Sequence, residues 1–108
     1  QAEVEQAIRD LIRFYGLFAT WFRIEKPVRQ GFIEPPGDEE LAAMPMYAAE
    51  VLREALVIGT PETVIERLKG YGSMGYDQYS LWIDNGMSFE KKRKSLRLFI
   101  DEVMPAFA

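Results

Sequence analysis

The chain has 108 residues, a formal net charge of -4, and neither Cys nor His. The acidic balance argues against nucleic acid, which requires a basic excess or stripe. Without thiol or imidazole, the sequence also argues against disulfides, thiolate chemistry, a zinc site and a Ser-His-Asp triad.

Hydrophobic residues make up 48% and charged residues 28%, the balance of a chain that packs a core. No apolar run reaches the roughly 18 residues of a membrane span, and no signal peptide is visible. The cytoplasm is the default expectation. The first residue, Gln1, is not Met, which fits a piece of a longer chain.

Residues 3–22 predict a long helix. Val4, Ile8, Leu11, Ile12, Tyr15, Phe18 and Phe22 recur at helical spacing. Phe14, Leu17 and Trp21 widen the stripe, so the helix packs on two sides. The Phe14 to Trp21 face belongs either to the core or to a contact with a larger protein or partner chain.

Residues 25–45 change character, punctuated by Pro27, Gly31, Pro35, Pro36, Gly37 and Pro45. Proline removes a donor and fixes φ, so neither a helix nor a central strand runs through. The stretch is either a connection or an active-site flap. Asp38 is expected to cap a short turn over 39–43.

A second helix is expected over 46–56, with Pro45 at its start and Gly59 beyond its end. Val57 and Ile58 are too few for a strand by themselves. Thr60, Pro61 and Glu62 open a third helix over 60–71, with Val64, Ile65, Leu68 and Tyr71 as its inner stripe.

Residues 76–83 read as the main strand. Tyr79, Leu81 and Ile83 alternate with Ser80 and Trp82, apolar on both faces, as in strands covered on two sides. A tight turn follows over 84–87. Ser88 caps a last helix over 89–103, which Pro105 ends. A lone strand cannot satisfy its own backbone, and the chain offers few partners for it.

Chemical motifs are sparse: no dinucleotide or P-loop fingerprint is present. Asp84 and Asn85 sit just past the strand's C-terminal end, where parallel α/β folds place ligands. Trp82 lies near the same end. These three are the candidate cofactor-binding residues; their bland roles are turn hydrogen bonding and core packing. No catalytic residue and no metal ligand is assigned.

The segments GTPETVIERLKGYGSMGYD, SLWIDNGM and KSLRLFIDEVMPAF resemble the C-terminal end of the bacterial luciferase-like monooxygenases. Gly59, Thr60, Pro61 and Glu62 match the opening of that family's seventh helix. Gly75 and Asp77 match the step into its eighth strand, and Glu102, Val103, Met104 and Pro105 the close of its last helix. Tyr76 stands where a smaller aliphatic residue is commoner.

The resemblance covers residues 58–107. It implies an α/β fold, the C-terminal fragment of a (β/α)8 barrel. Residues 58–108 would form its last helix–strand–helix, and residues 1–57 the variable region before it.

It further implies a parent enzyme that oxidises an organic substrate with O2 and reduced flavin, FMN or a related flavin, often supplied by a separate reductase. The fragment alone is expected to be inactive, to bind no flavin, and to self-associate through its unpaired strand edge. No nucleic acid or membrane partner is expected. The alternative is a free-standing, mostly helical interaction module.

Overall fold

The computed structural model describes residues 2–23, 26–83 and 86–108, the side chain of Arg23 excepted. Helix α1, Ala2–Arg23, is the spine. Glu3 and Glu5 lie in its first turn, where the helix dipole favours negative charge. Its inner stripe buries Ile8, Leu11, Ala19 and Thr20. Thr20 satisfies its hydroxyl by donating to the Leu17 carbonyl at 2.6 Å.

Lys26 leads into a small antiparallel hairpin. Strands β1, Val28–Arg29, and β2, Phe32–Ile33, pair Val28 with Ile33 and Arg29 with Phe32. Gln30 (φ 53) and Gly31 (φ 84) both take positive φ, the type I′ geometry that matches strand twist.

Helix α2, Asp38–Ala42, then packs on α1. The cap lies one residue earlier than the sequence suggested: Gly37 is the N-cap and Asp38 the first helical residue. The Glu40 carboxylate accepts from the Gly37 N–H at 2.8 Å and thereby does the capping.

The helix expected over 46–56 is split. Pro45–Tyr47 forms a 3-10 turn, Ala48 is extended (φ -57, ψ 147), and α3 runs Ala49–Ala55. Tyr47 is held by stacking on Tyr15, with centroids 5.8 Å apart. α3 buries Leu52 against α1, and Arg53 pairs with Glu5 across that contact.

Helix α4 spans Pro61–Ser73 and α5 spans Phe89–Leu98. Ser88 accepts from the Lys91 N–H at 3.4 Å, as its capping role requires. α5 widens into a π turn, Phe99–Val103, and tightens into a 3-10 turn, Met104–Phe107. Pro105 has no N–H for the Asp101 carbonyl and its ring crowds that turn, so a regular α-helix cannot continue.

The strand expected over 76–83 is not formed; the segment carries neither helix nor strand pairing. A strand exists only through a ladder, and among the described residues the sole sheet is the β1–β2 hairpin. The chain is thus mostly helical with one two-stranded sheet.

The chain is also expanded. Its radius of gyration is 16.1 Å, against about 13 Å for a compact domain of this length. It exposes 8220 Å², about 2,000 Å² more than a folded monomer of its size. Trp21, Phe22, Phe32, Tyr76, Trp82 and Phe89 are all more than half exposed.

Candidate functional site

A cavity of about 480 Å³ lies between the first half of α1, the segment 56–59, the segment 79–83 and α5 with its π turn. Val4, Leu11 and Phe14 of α1 form one wall, and Phe99 and Val103 another. The two connecting segments add Leu56, Val57 and Ile58 on one and Tyr79, Leu81 and Trp82 on the other, and α4 adds Pro61 and Val64.

Helix α4 positions both segments. The Arg67 guanidinium donates to the carbonyls of Arg53 and Leu56, and to that of Glu54 at 3.2 Å. These are orphan acceptors at the end of α3, and satisfying them fixes where 56–59 begins. At the other end of that segment a Cβ on Gly59 would meet the Thr63 Cβ at 2.8 Å. Only glycine lets the chain turn that tightly into α4.

At the far end of α4, Tyr71 packs against Tyr76 and Tyr79, with centroids 6.2 and 5.8 Å apart. Partial burial, with Tyr71 beside it, pushes the Tyr79 phenol above its ordinary range, so it stays a neutral donor at neutral pH.

The Thr60 hydroxyl, expected to cap α4, makes no bond to the helix backbone. It turns to its neighbours, reaching Thr63 Oγ1 at 3.4 Å. Its hydrogen bond to Glu62, with one from that residue's own backbone, holds the Glu62 carboxyl below its usual range.

Trp82 lies at the cavity's end. Its ring meets Phe14 edge-on, with centroids 5.7 Å apart and planes at 90°. Phe14 in turn stacks on Phe18. Across the opening, Lys94 pairs with Glu3 at 2.6 Å and Lys91 reaches Asp10 at 4.0 Å, tying α5 to α1. Lys94 is the main reason the Glu3 carboxyl sits below its usual range.

Of the residues singled out from sequence, Trp82 lines this cavity, while Asp84 and Asn85 lie outside the described residues. The walls from α1 and from 56–59 were not legible as a site, though the widened stripe at Phe14 did mark α1 as packing on two sides. Among the described residues no group of His, Cys, Asp and Glu could hold a metal ion. No described helix is long and apolar enough to cross a membrane.

The lining is an apolar and aromatic surface with a phenol, the hydroxyls of Ser80 and Ser95, and the charges of Glu3, Lys91 and Lys94. Such a surface suits a planar or apolar organic ligand. A phosphate would find no cradle at the glycines of α4, because they sit at the helix's negative end.

Over all 108 residues the chain is 49% identical to the protein described as flavin-dependent trigonelline monooxygenase, oxygenase component, of Acinetobacter baylyi. The chain is similar to part of a flavin-dependent monooxygenase. It spans 30% of that relative's length. The likeness is consistent with a fragment of a luciferase-like monooxygenase. It extends through residues 1–57, where the sequence by itself gave no alignment. No protein-family model matches the chain, and no solved structure does.

Proposed function

We propose that the chain is the C-terminal part of a luciferase-like, flavin-dependent monooxygenase, with residues 58–108 contributing the last units of a (β/α)8 barrel. One observation carries this reading beyond the relative. The segments 56–59 and 79–83 flank one cavity, and each is followed by a helix, α4 and α5. That order is segment–helix–segment–helix, the repeat of a parallel α/β fold. Both segments lack a sheet here, and about 2,000 Å² of surplus surface is what neighbouring strands and helices would cover.

In this reading the parent binds FMN or a related flavin, which supplies the oxygen-activating chemistry. The 108-residue chain contributes one wall and is inactive alone. Trp82 lies at that wall, and Asp84 and Asn85 follow it closely in sequence. A separate reductase provides reduced flavin, as the relative's designation as an oxygenase component suggests. The substrate is a small N-methylated pyridine carboxylate of the trigonelline kind. The parent is a cytoplasmic homo-oligomer with no nucleic acid or membrane partner.

The test uses the full-length protein. Titration with FMN should change flavin fluorescence. Reduced flavin plus trigonelline should consume O2 and give an oxygenated product. A full-length protein that responds to no flavin would overturn the reading in favour of a helical interaction module.

A further inference from the structure

Trp82 combines two properties that a packing residue does not share. The residue is 66% exposed, yet its ring packs edge-on against Phe14. Phe14 is itself held by Phe18, stacked at 6.2 Å with planes 14° apart. A chain of rings anchored along α1 thus presents an indole at the cavity.

The two cations that line the cavity are each paired with a carboxylate of α1. Lys91 and Lys94 are directed to Asp10 and Glu3. An aromatic face with a fixed orientation attracts a cation through its quadrupole, and Trp does so best. A permanently charged, flat ring is a suitable ligand, because it stacks and carries a charge that cannot be lost to pH.

We propose that the Trp82 indole, set by Phe14, recognises the quaternary ring of the substrate and makes it a specificity-determining residue. This rests on the substrate class proposed above, and the experiment separates the two.

The full-length protein, with Trp82→Leu and Trp82→Phe variants, is titrated calorimetrically with trigonelline, with a neutral nicotinic ester and with FMN. Trp82→Leu should weaken trigonelline binding roughly 2- to 30-fold, the range of a cation–π contact. The ester should bind as in the wild type, and FMN should lose less than trigonelline does. Trp82→Phe should fall between, and it carries the test if the Leu variant does not fold.

Equal losses for trigonelline and the ester would overturn the proposal, because the ring would then only fill space. A selective loss of FMN would overturn it too, by giving the indole to the cofactor. So would a wild type that binds no trigonelline, or variants that bind it unchanged while the wild type turns over flavin and O2. A selective trigonelline loss in a protein that ignores flavin would sustain the proposal while the monooxygenase reading fell.

Discussion

Arg67, in the middle of α4, donates to the Leu56 carbonyl, just past the end of α3. The same guanidinium reaches the Arg53 and Glu54 carbonyls. One side chain therefore closes one helix from the body of the next, and fixes the cavity wall between them. Arg67→Met keeps most of the stem and removes every donor. It should lower stability by about 1–3 kcal/mol, the cost of losing charge-assisted hydrogen bonds at partly buried acceptors. Arg67→Lys should recover only part, since an ammonium cannot span the carbonyls as a planar fork does. Urea midpoints decide this, and an unchanged midpoint for Arg67→Met would sink the capping role.

A second close approach fixes α1 against α2. A Cβ on Gly16 would lie 2.1 Å from Leu41 Cδ2. Alanine is worth about 1 kcal/mol over glycine inside a helix. In the wild type Gly16→Ala should return less than this, because Leu41 must rotate away. In a Leu41→Ala background the clash is gone and the full gain should appear. A double-mutant cycle reads the coupling directly. Additive effects would show that the two side chains do not compete for space.

What the sequence made legible follows the range of the interactions. The helical stripe of α1 and the Ser88 cap are local, and both lie within a residue or two of where they were expected. The hairpin escaped because Gln30 is an uncommon residue for positive φ, so Gln30–Gly31 lacked the Asn–Gly signature. The segment 76–83 has the alternation of a two-sided strand, but pairing is a contact with distant chain, and the described residues hold no partner for it. Trp82 was visible as a candidate; its contact with Phe14, far away in sequence, was not.

The hairpin's attachment should respond to acid. Glu40 is held below its ordinary value of 4.5, chiefly by its hydrogen bond to Lys26 and next by the Gly37 N–H. A carboxyl whose folded pKa is depressed adds stability that is complete above the unfolded value and fades as pH falls through the folded one. The Lys26–Glu40 contact, 2.7 Å long, should therefore hold at neutral pH and open in strong acid, releasing the loop from α2. Amide exchange at Gly37 measures it, with protection expected at neutral pH and lost in acid well below the ordinary carboxylate range. Glu40→Gln should remove the pH dependence. Equal Gly37 protection at both pH values in the wild type would refute the latch.

The exposed segment 79–83 predicts opposite outcomes in two contexts. Leu81 and Ile83 are both exposed in the 108-residue chain, and an unpaired apolar edge invites pairing with other copies. The isolated chain should therefore sediment as dimers or larger species. Leu81→Lys should shift it toward monomer, as charge on an open edge does in natural sheets. In the full-length protein the reading above covers the same position with neighbouring strands. There the unpaired lysine would be desolvated at a cost of several kcal/mol, so the variant should fold poorly and lose flavin binding. A full-length Leu81→Lys protein that melts and binds flavin like the wild type would mean that the segment faces water in the parent as well, and that no barrel closes over it.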